Sequence, residues 1–198
     1  PAIYVDFRNN KGLESYWSYS SFGVGVAGTA HINDYTGNLV YELPIASSIS
    51  EIMPVSIVGY YNNYCANELV SETEAKYART SIGRGFRLNY QQTVIDSKEY
   101  GISDSQSKKY PYVYTDADGT EHYIQKVTED GKTVYKDEDG LGLTLTTGLN
   151  DNEEIYYKIT DKAHNTYYFN LRGNLSRIKD NNGNEMKINY KSADSTSD

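Results

Sequence analysis

Tyr114-Thr-Asp116-Ala-Asp-Gly119 is followed along the chain by Tyr135-Lys-Asp137-Glu-Asp-Gly140, Ile159-Thr-Asp161-Lys-Ala-His164 and Ile178-Lys-Asp180-Asn-Asn-Gly183. The four stretches share one frame: Tyr or Ile first, Asp two residues later, and Gly (once His164) three beyond that. An apolar residue stands ten positions after each start: Ile124, Leu145, Phe169 and Ile188. The aspartates are 21, 24 and 19 residues apart, a degenerate repeat of about 20 residues. Such a period decides architecture before local propensity does.

The chemistry of the frame is that of a chain reversal. An Asp opening a turn can accept a hydrogen bond from the backbone two residues on. A Gly three residues later accepts the positive φ of a type I turn followed by a bulge. His is among the residues that tolerate positive φ, so His164 fits the same place less favourably. The flanks alternate: Leu141, Leu143 and Leu145 oppose Gly142, Thr144 and Thr146, and Met186, Ile188 and Tyr190 oppose Glu185, Lys187 and Asn189. Each unit reads as a hairpin, and because lone hairpins are marginal in water they must share a sheet. The fold class expected is all-β, an antiparallel sheet of successive hairpins.

Residues 110–190 are the repetitive part and 31–109 a further β segment. In the latter, Asn38–Leu43, Met53–Tyr61 and Gly85–Tyr90 read as strands. Asn67–Arg79, rich in Glu and Ala, is the one stretch whose composition suits a short helix. Residues 1–30 read as an extended arm, Ser97–Lys109 as a surface loop, and 191–198 as a polar tail. The whole is expected to be one globular unit. The chain opens on Pro1 rather than Met, as expected of a piece of a longer protein.

Of 198 residues, 21 are Tyr and 23% are charged, with a net charge of −8. That excess of negative charge argues against a nucleic-acid partner, which needs clustered positive charge. No apolar run approaches the roughly 20 residues of a membrane-spanning helix. One cysteine, Cys65, excludes an internal disulfide, and its neighbours supply no activating histidine.

The constellations that could carry chemistry each have a plainer reading. Asp116-Ala-Asp118-Gly119 and Asp137-Glu-Asp139-Gly140 resemble the middle of an EF-hand loop. Counting from Gly at position six, however, position one is Tyr114, Tyr135 or Ile178, and position twelve is Gln125, Thr146 or Asn189. None supplies the acidic residues that open and close that cage. Asp116, Gly119, Asp137, Gly140, Asp161, His164, Asp180 and Gly183 are therefore assigned to turns, and no metal is expected. Glu153-Glu154 and Asp137-Glu-Asp139 read as solvated charge on turns, and His31, His122 and His164 share no short metal spacing. His122 reads as a half-buried cross-strand partner. Gly23-Val-Gly25-Val-Ala-Gly28 matches dinucleotide-binding glycine spacing, but no helical pattern follows it. No catalytic residue and no cofactor are expected. Tyr16, Trp17 and Tyr19 could form a stacking platform for sugar rings, although tyrosine is also a good cross-strand packing residue.

The frame, ending in Gly173-Asn-Leu-Ser-Arg-Ile-Lys-Asp180-Asn-Asn-Gly-Asn184-Glu-Met-Lys-Ile-Asn-Tyr190, resembles the tyrosine–aspartate (YD) repeats of RHS proteins. Thr36-Gly-Asn-Leu-Val40, Met53-Pro-Val-Ser-Ile57, Tyr60-Tyr-Asn62 and Gly83-Arg-Gly-Phe-Arg-Leu-Asn-Tyr90 resemble the segment that opens their repeat region. Phe86 stands where that family usually has Trp. Gly12-Leu-Glu-Ser-Tyr-Trp-Ser-Tyr19 is similar to the lead-in of large wall-associated RHS proteins of Gram-positive bacteria. The resemblance implies a structural scaffold rather than an enzyme: the start of a β-shell that encloses a C-terminal effector or toxin, in a secreted or cell-surface bacterial protein. Its partners would be the following YD repeats of the same polypeptide. Such shells commonly cleave at an Asp-Pro motif, and this chain contains none. The competing expectation is a β module that binds carbohydrate or cell-wall glycan through Tyr16, Trp17 and Tyr19.

Overall fold

The computed structural model describes residues 12–50, 52–67, 82–149 and 155–190. The arm before Gly12, the tail 191–198, Glu153-Glu154 and nearly all of the Asn67–Arg79 stretch lie outside them. Strands β1 (Tyr19–Gly23), β2 (Thr29–Asn33), β3 (Leu39–Ser48), β4 (Val55–Asn62) and β5 (Phe86–Leu88) pair in chain order as one antiparallel sheet. A second sheet is likewise consecutive. It runs through β6 (Thr93–Asp96), β7 (Tyr112–Thr115), β8 (Glu121–Glu129), β9 (Lys132–Asp137) and β10 (Thr144–Thr147). It continues with β11 (Tyr157–Thr160), β12 (Thr166–Phe169), β13 (Leu175–Lys179) and β14 (Glu185–Lys187). Among the described residues two short helices, α1 (Asn63–Asn67) and α2 (Asp104–Lys109), punctuate the strands. The fold is all-β and antiparallel, built from successive hairpins.

Every turn of the repeat frame reverses the chain. Thr115 pairs with Glu121, Thr160 with Thr166 and Lys179 with Glu185, so 116–120, 161–165 and 180–184 are five-residue connections. In each, the fourth residue donates its N–H to the first residue's carbonyl. That fourth residue has positive φ: 100° at Gly119, 63° at His164 and 91° at Gly183. The Asp carboxylates accept the backbone N–H of the fifth residue, at 3.0 Å from Thr120, 2.9 Å from Asn165 and 2.8 Å from Asn184.

The second turn of the frame, at Asp137–Gly140, departs from this pattern. Gly140 has positive φ as expected, but so does Gly142, and the connection between β9 and β10 is longer. Asp137 caps it at a greater span, accepting from Leu141 N–H (2.7 Å) and Leu143 N–H (2.5 Å). Leu141 and Leu143 therefore lie in the loop, and the alternation Leu141-Gly-Leu143 is not strand. A further reversal of the same kind, Asn170–Asn174, joins β12 to β13. Its Asn170 Oδ1 accepts from Arg172 N–H and Asn174 N–H, both at 3.0 Å.

The boundary between the sheets falls between Leu88 and Thr93, ahead of residue 110, because β6 already pairs with β7. Two loop readings also change. Tyr19–Gly23, placed in the arm, forms β1 by pairing with β2 across the glycine run, and Ser97–Lys109 contains α2.

The nine-stranded sheet curls until its first strand meets its far side. Thr93 bridges Asn174, Val94 N–H donates to Gly173 O at 2.9 Å, and Leu175 N–H donates to Gln92 O at 3.1 Å. Gly173 makes this possible: its φ is +80°, and a Cβ there would lie 2.0 Å from Val94 O. Inside the curl pack Val94, Tyr114, Ile124, Leu143, Leu145, Ile159, Phe169 and Leu175, with Tyr135, Ile178 and Ile188 against them. These include both apolar positions of the repeat frame in all four units. The period in the sequence is thus the period with which strands return side chains to one shared core.

Candidate functional site

The first two frame turns converge on one imidazole. His122, at the start of β8, pairs across the ladder with Tyr114, whose ring stacks on it at 5.6 Å. Its side chain is 5% exposed. Nε2 lies 2.9 Å from Asp116 Oδ2 and Nδ1 lies 2.9 Å from Asp139 Oδ2. A ring flanked by two carboxylates donates from both nitrogens only when doubly protonated. Burial alone would lower its pKa, but the hydrogen bonds to Asp116 and Asp139, with their charges, outweigh it and raise the value to about 9. Asp116 has the converse balance: burial raises its pKa, and the bond from His122 dominates in holding it below the ordinary value. The sequence placed His122 on a strand as a half-buried cross-strand partner. It is such a partner, but fully buried and clamped between two turns.

Asp116 divides its labour. Oδ2 faces His122, while Oδ1 accepts the N–H groups of Asp118, Gly119 and Thr120 at 3.0–3.2 Å. Asp118 turns the other way, taking Thr120 N–H (2.9 Å) and Thr120 Oγ1 (2.7 Å) on Oδ1, and Leu13 N–H (3.3 Å) on Oδ2. Burial, and then the neighbouring Asp116, push the Asp118 carboxyl up to about 6. The cation of the neighbourhood on β5 is Arg87, whose Nη2 donates to Gln91 O at 2.5 Å and whose Nε has no hydrogen-bond partner among the described residues. Among the described residues no group of three or more His, Cys, Asp and Glu side chains could hold a metal ion.

Residues 12–14 pack onto this turn. A Cβ on Gly12 would lie 2.2 Å from Thr120 Oγ1 and 2.3 Å from Asp118 Oδ1. Glu14 is 2% exposed and accepts the Tyr19 hydroxyl at 2.9 Å, while the same hydroxyl reaches Gly12 O at 3.2 Å. Burial and Glu14 together raise the Tyr19 pKa.

Tyr16, Trp17 and Tyr19 are accordingly not one flat platform. Tyr19 is tied inward to Glu14. Tyr16 (58% exposed) tilts against Trp17 at 5.7 Å, and the other face of the cluster is Tyr35 (71% exposed), stacked on Trp17 at 5.5 Å. Tyr35, from the turn between β2 and β3, had no repeat or motif to single it out.

Of the eight assigned turn residues, Asp116 alone also belongs to the buried cluster. Asp161, His164, Asp180 and Gly183 shape the later hairpins at separate places. Asp139, read from the sequence as solvated turn charge, is instead tied to the buried His122, and Glu14 and Asn170 were not singled out. Asn170 had a readable signal, its three-residue spacing to Gly173; Glu14 had none. Compared with family models, with curated proteins and with solved structures, the chain finds no match.

Proposed function

We propose that the chain is a non-catalytic structural segment of an RHS/YD-repeat protein, starting the β-shell that encloses a C-terminal effector or toxin at the bacterial cell surface. The observation that carries this reading is the division of labour within the repeat frame. Asp and Gly (or His164) reverse the chain, and the two apolar positions of every unit pack into the interior of one curling sheet. A hairpin series of this kind grows by adding strands to its last edge, here β14, where the next YD repeat would pair. The chemistry supports the same reading: both nitrogens of the buried His122 are committed to carboxylates, which suits tying turns together. The test is the structure of the product of the complete reading frame by electron cryo-microscopy. The expected result is further hairpins continuing from β14 into a closed wall around a distinct C-terminal domain. A β14 edge left open to solvent in that product would overturn the proposal.

The second reading is a carbohydrate- or cell-wall-binding module, favoured by the two exposed rings of Tyr16 and Tyr35 on either side of Trp17. A glycan array discriminates: saturable binding lost in Trp17→Ala and Tyr35→Ala supports the module, and no binding removes it.

A further inference from the structure

We propose that the exposed rings of Tyr16 and Tyr35, on either side of Trp17, form a binding site for an organic cation, with the quaternary ammonium group as the ligand class. The inference does not rest on the shell reading. It asks a charged ligand, rather than a neutral sugar, of the rings in the second reading.

The site is built by register. β1 and β2 pair with Tyr19 opposite Asn33, and the ladder runs one step further, where Asp34 N–H donates to Ser18 O at 3.0 Å. The next residues outward, Trp17 and Tyr35, are therefore set opposite each other, and their rings stack at 5.5 Å and 16°. Both are held from behind. Trp17 N–H donates to Glu14 O at 3.1 Å. The buried Asn33 accepts on Oδ1 from Tyr35 N–H at 3.0 Å and Thr36 N–H at 2.9 Å. Tyr16 completes the group, its ring 5.7 Å from that of Trp17 and tilted by 49°. The result is a fixed aromatic array whose two end rings face solvent.

The face of an aromatic ring carries negative potential and attracts cations. Elsewhere in the fold the chain's own cations take such faces. Lys109 Nζ lies 4.7 Å from the centre of the Tyr110 ring, and the Arg177 guanidinium lies 5.8 Å from that of Tyr168. Residues 12–75 contain no Lys and no Arg, so the segments that build this array have none to supply. What they supply is carboxylate. Asp34 adjoins Tyr35 in the chain, and bonds from Ser20 and Ser18 hold its carboxyl below the ordinary value, hence ionised. Burial, then Glu14 and Asp139, push the Tyr16 hydroxyl up to about 12, so that ring stays neutral in a negative field. His122 offsets part of the Asp139 charge, which leaves Asp34 as the carboxylate that serves the site most directly. Rings open to water do not strip a compact primary ammonium of its strong hydration. A quaternary ammonium spreads its charge over methyl groups and gives up little water on stacking.

Chemical-shift titration of the full chain with choline, sodium chloride being replaced ion for ion, tests the site. The probes are the Tyr35 ring and the indole N–H of Trp17, the chain's one tryptophan. Saturable shifts of both are expected. The neutral carbon isostere of choline should bind about three-fold more weakly, and so should choline to Tyr35→Leu, whereas Tyr35→Phe should keep wild-type affinity. Asp34→Asn, which keeps an acceptor for Ser20, should weaken choline about two-fold. Phosphocholine should bind more weakly than choline, because its phosphate is set against Asp34; this arm separates a free cation from a headgroup that carries phosphate. The absence of a saturable shift, an isostere that matches choline, unchanged affinity in Tyr35→Leu, or phosphocholine binding more tightly than choline overturns the proposal. An N-acetylglucosamine tetramer is titrated in parallel. Binding of the tetramer without choline removes this proposal and leaves the carbohydrate reading standing, and binding of choline alone does the reverse.

Discussion

Oδ2 of Asp116 stands 2.9 Å from Nε2 of His122, and this contact joins a residue that reverses the chain to a residue that the reversal brings back. The ring then passes the connection on, through Nδ1, to Asp139 in the next connection but one along the sheet. Local turn chemistry becomes contact between successive hairpins at this point.

Removing the imidazole strands two carboxylates. His122→Ala should destabilise the fold by about 3–5 kcal/mol, the cost of breaking a buried, hydrogen-bonded ion pair from one side. Urea unfolding followed by far-ultraviolet circular dichroism measures it, and a loss below about 1 kcal/mol would mean that the cluster is solvated.

The same group sets an alkaline limit. A histidine raised from 6.5 to about 9 contributes stability that is complete below pH 6.5 and is lost as pH rises through about 9. The shift corresponds to about 3 kcal/mol. Wild-type urea midpoints should therefore fall between pH 7 and 10, and the fall should be absent in His122→Ala.

Gly173 and Gly183 both have positive φ, but only Gly173 meets a neighbour. Gly183→Ala places a Cβ 4.0 Å from Lys179 Cε and should cost about 1–2 kcal/mol, from backbone conformation alone. Gly173→Ala must in addition push Val94 O away and break the seam that closes the curl, for a total of about 3 kcal/mol or more. Thermal melts of the two variants separate these costs, and equal effects would show that the seam contributes nothing.

Asp161→Asn should cost about 0.5–1 kcal/mol, because an amide oxygen can still cap Asn165 N–H, as Asn170 does at the neighbouring reversal, while the acceptor for Asn165 Nδ2 is lost. Asp161→Ala leaves Asn165 N–H without its acceptor and should cost about 1–2 kcal/mol. If Asn and Ala are equally costly, charge rather than hydrogen-bond geometry is what the position requires.

The repeat was legible because turn chemistry is local: Asp116 and Gly119, or Asp180 and Gly183, do their work within five residues. Asn170–Asn174 went unread because Asn replaces Asp there and the apolar Leu171 interrupts the polar turn. Leu141-Gly-Leu143 misled because alternation with glycine imitates a strand, whereas Gly142 adopts positive φ and packs against Lys162. The buried cluster was legible only in part. His122 could be placed on a strand, but its partner Asp139 arrives through sheet register, and Glu14 through docking of a segment without periodicity. The aromatic expectation shifted for the same reason, since Tyr35 meets Trp17 only once β1 and β2 have paired.

In the proposed shell, β14 is the edge that receives the next repeat. Ile188 N–H points inward, to Ser176 O at 2.9 Å, so by the alternation of a ladder Lys187 N–H points to the open side. Hydrogen exchange at Lys187, measured in this chain and in the complete polypeptide, tests that claim directly. Fast exchange is expected here and strong protection in the longer product; equally fast exchange in both would show that β14 receives no further strand.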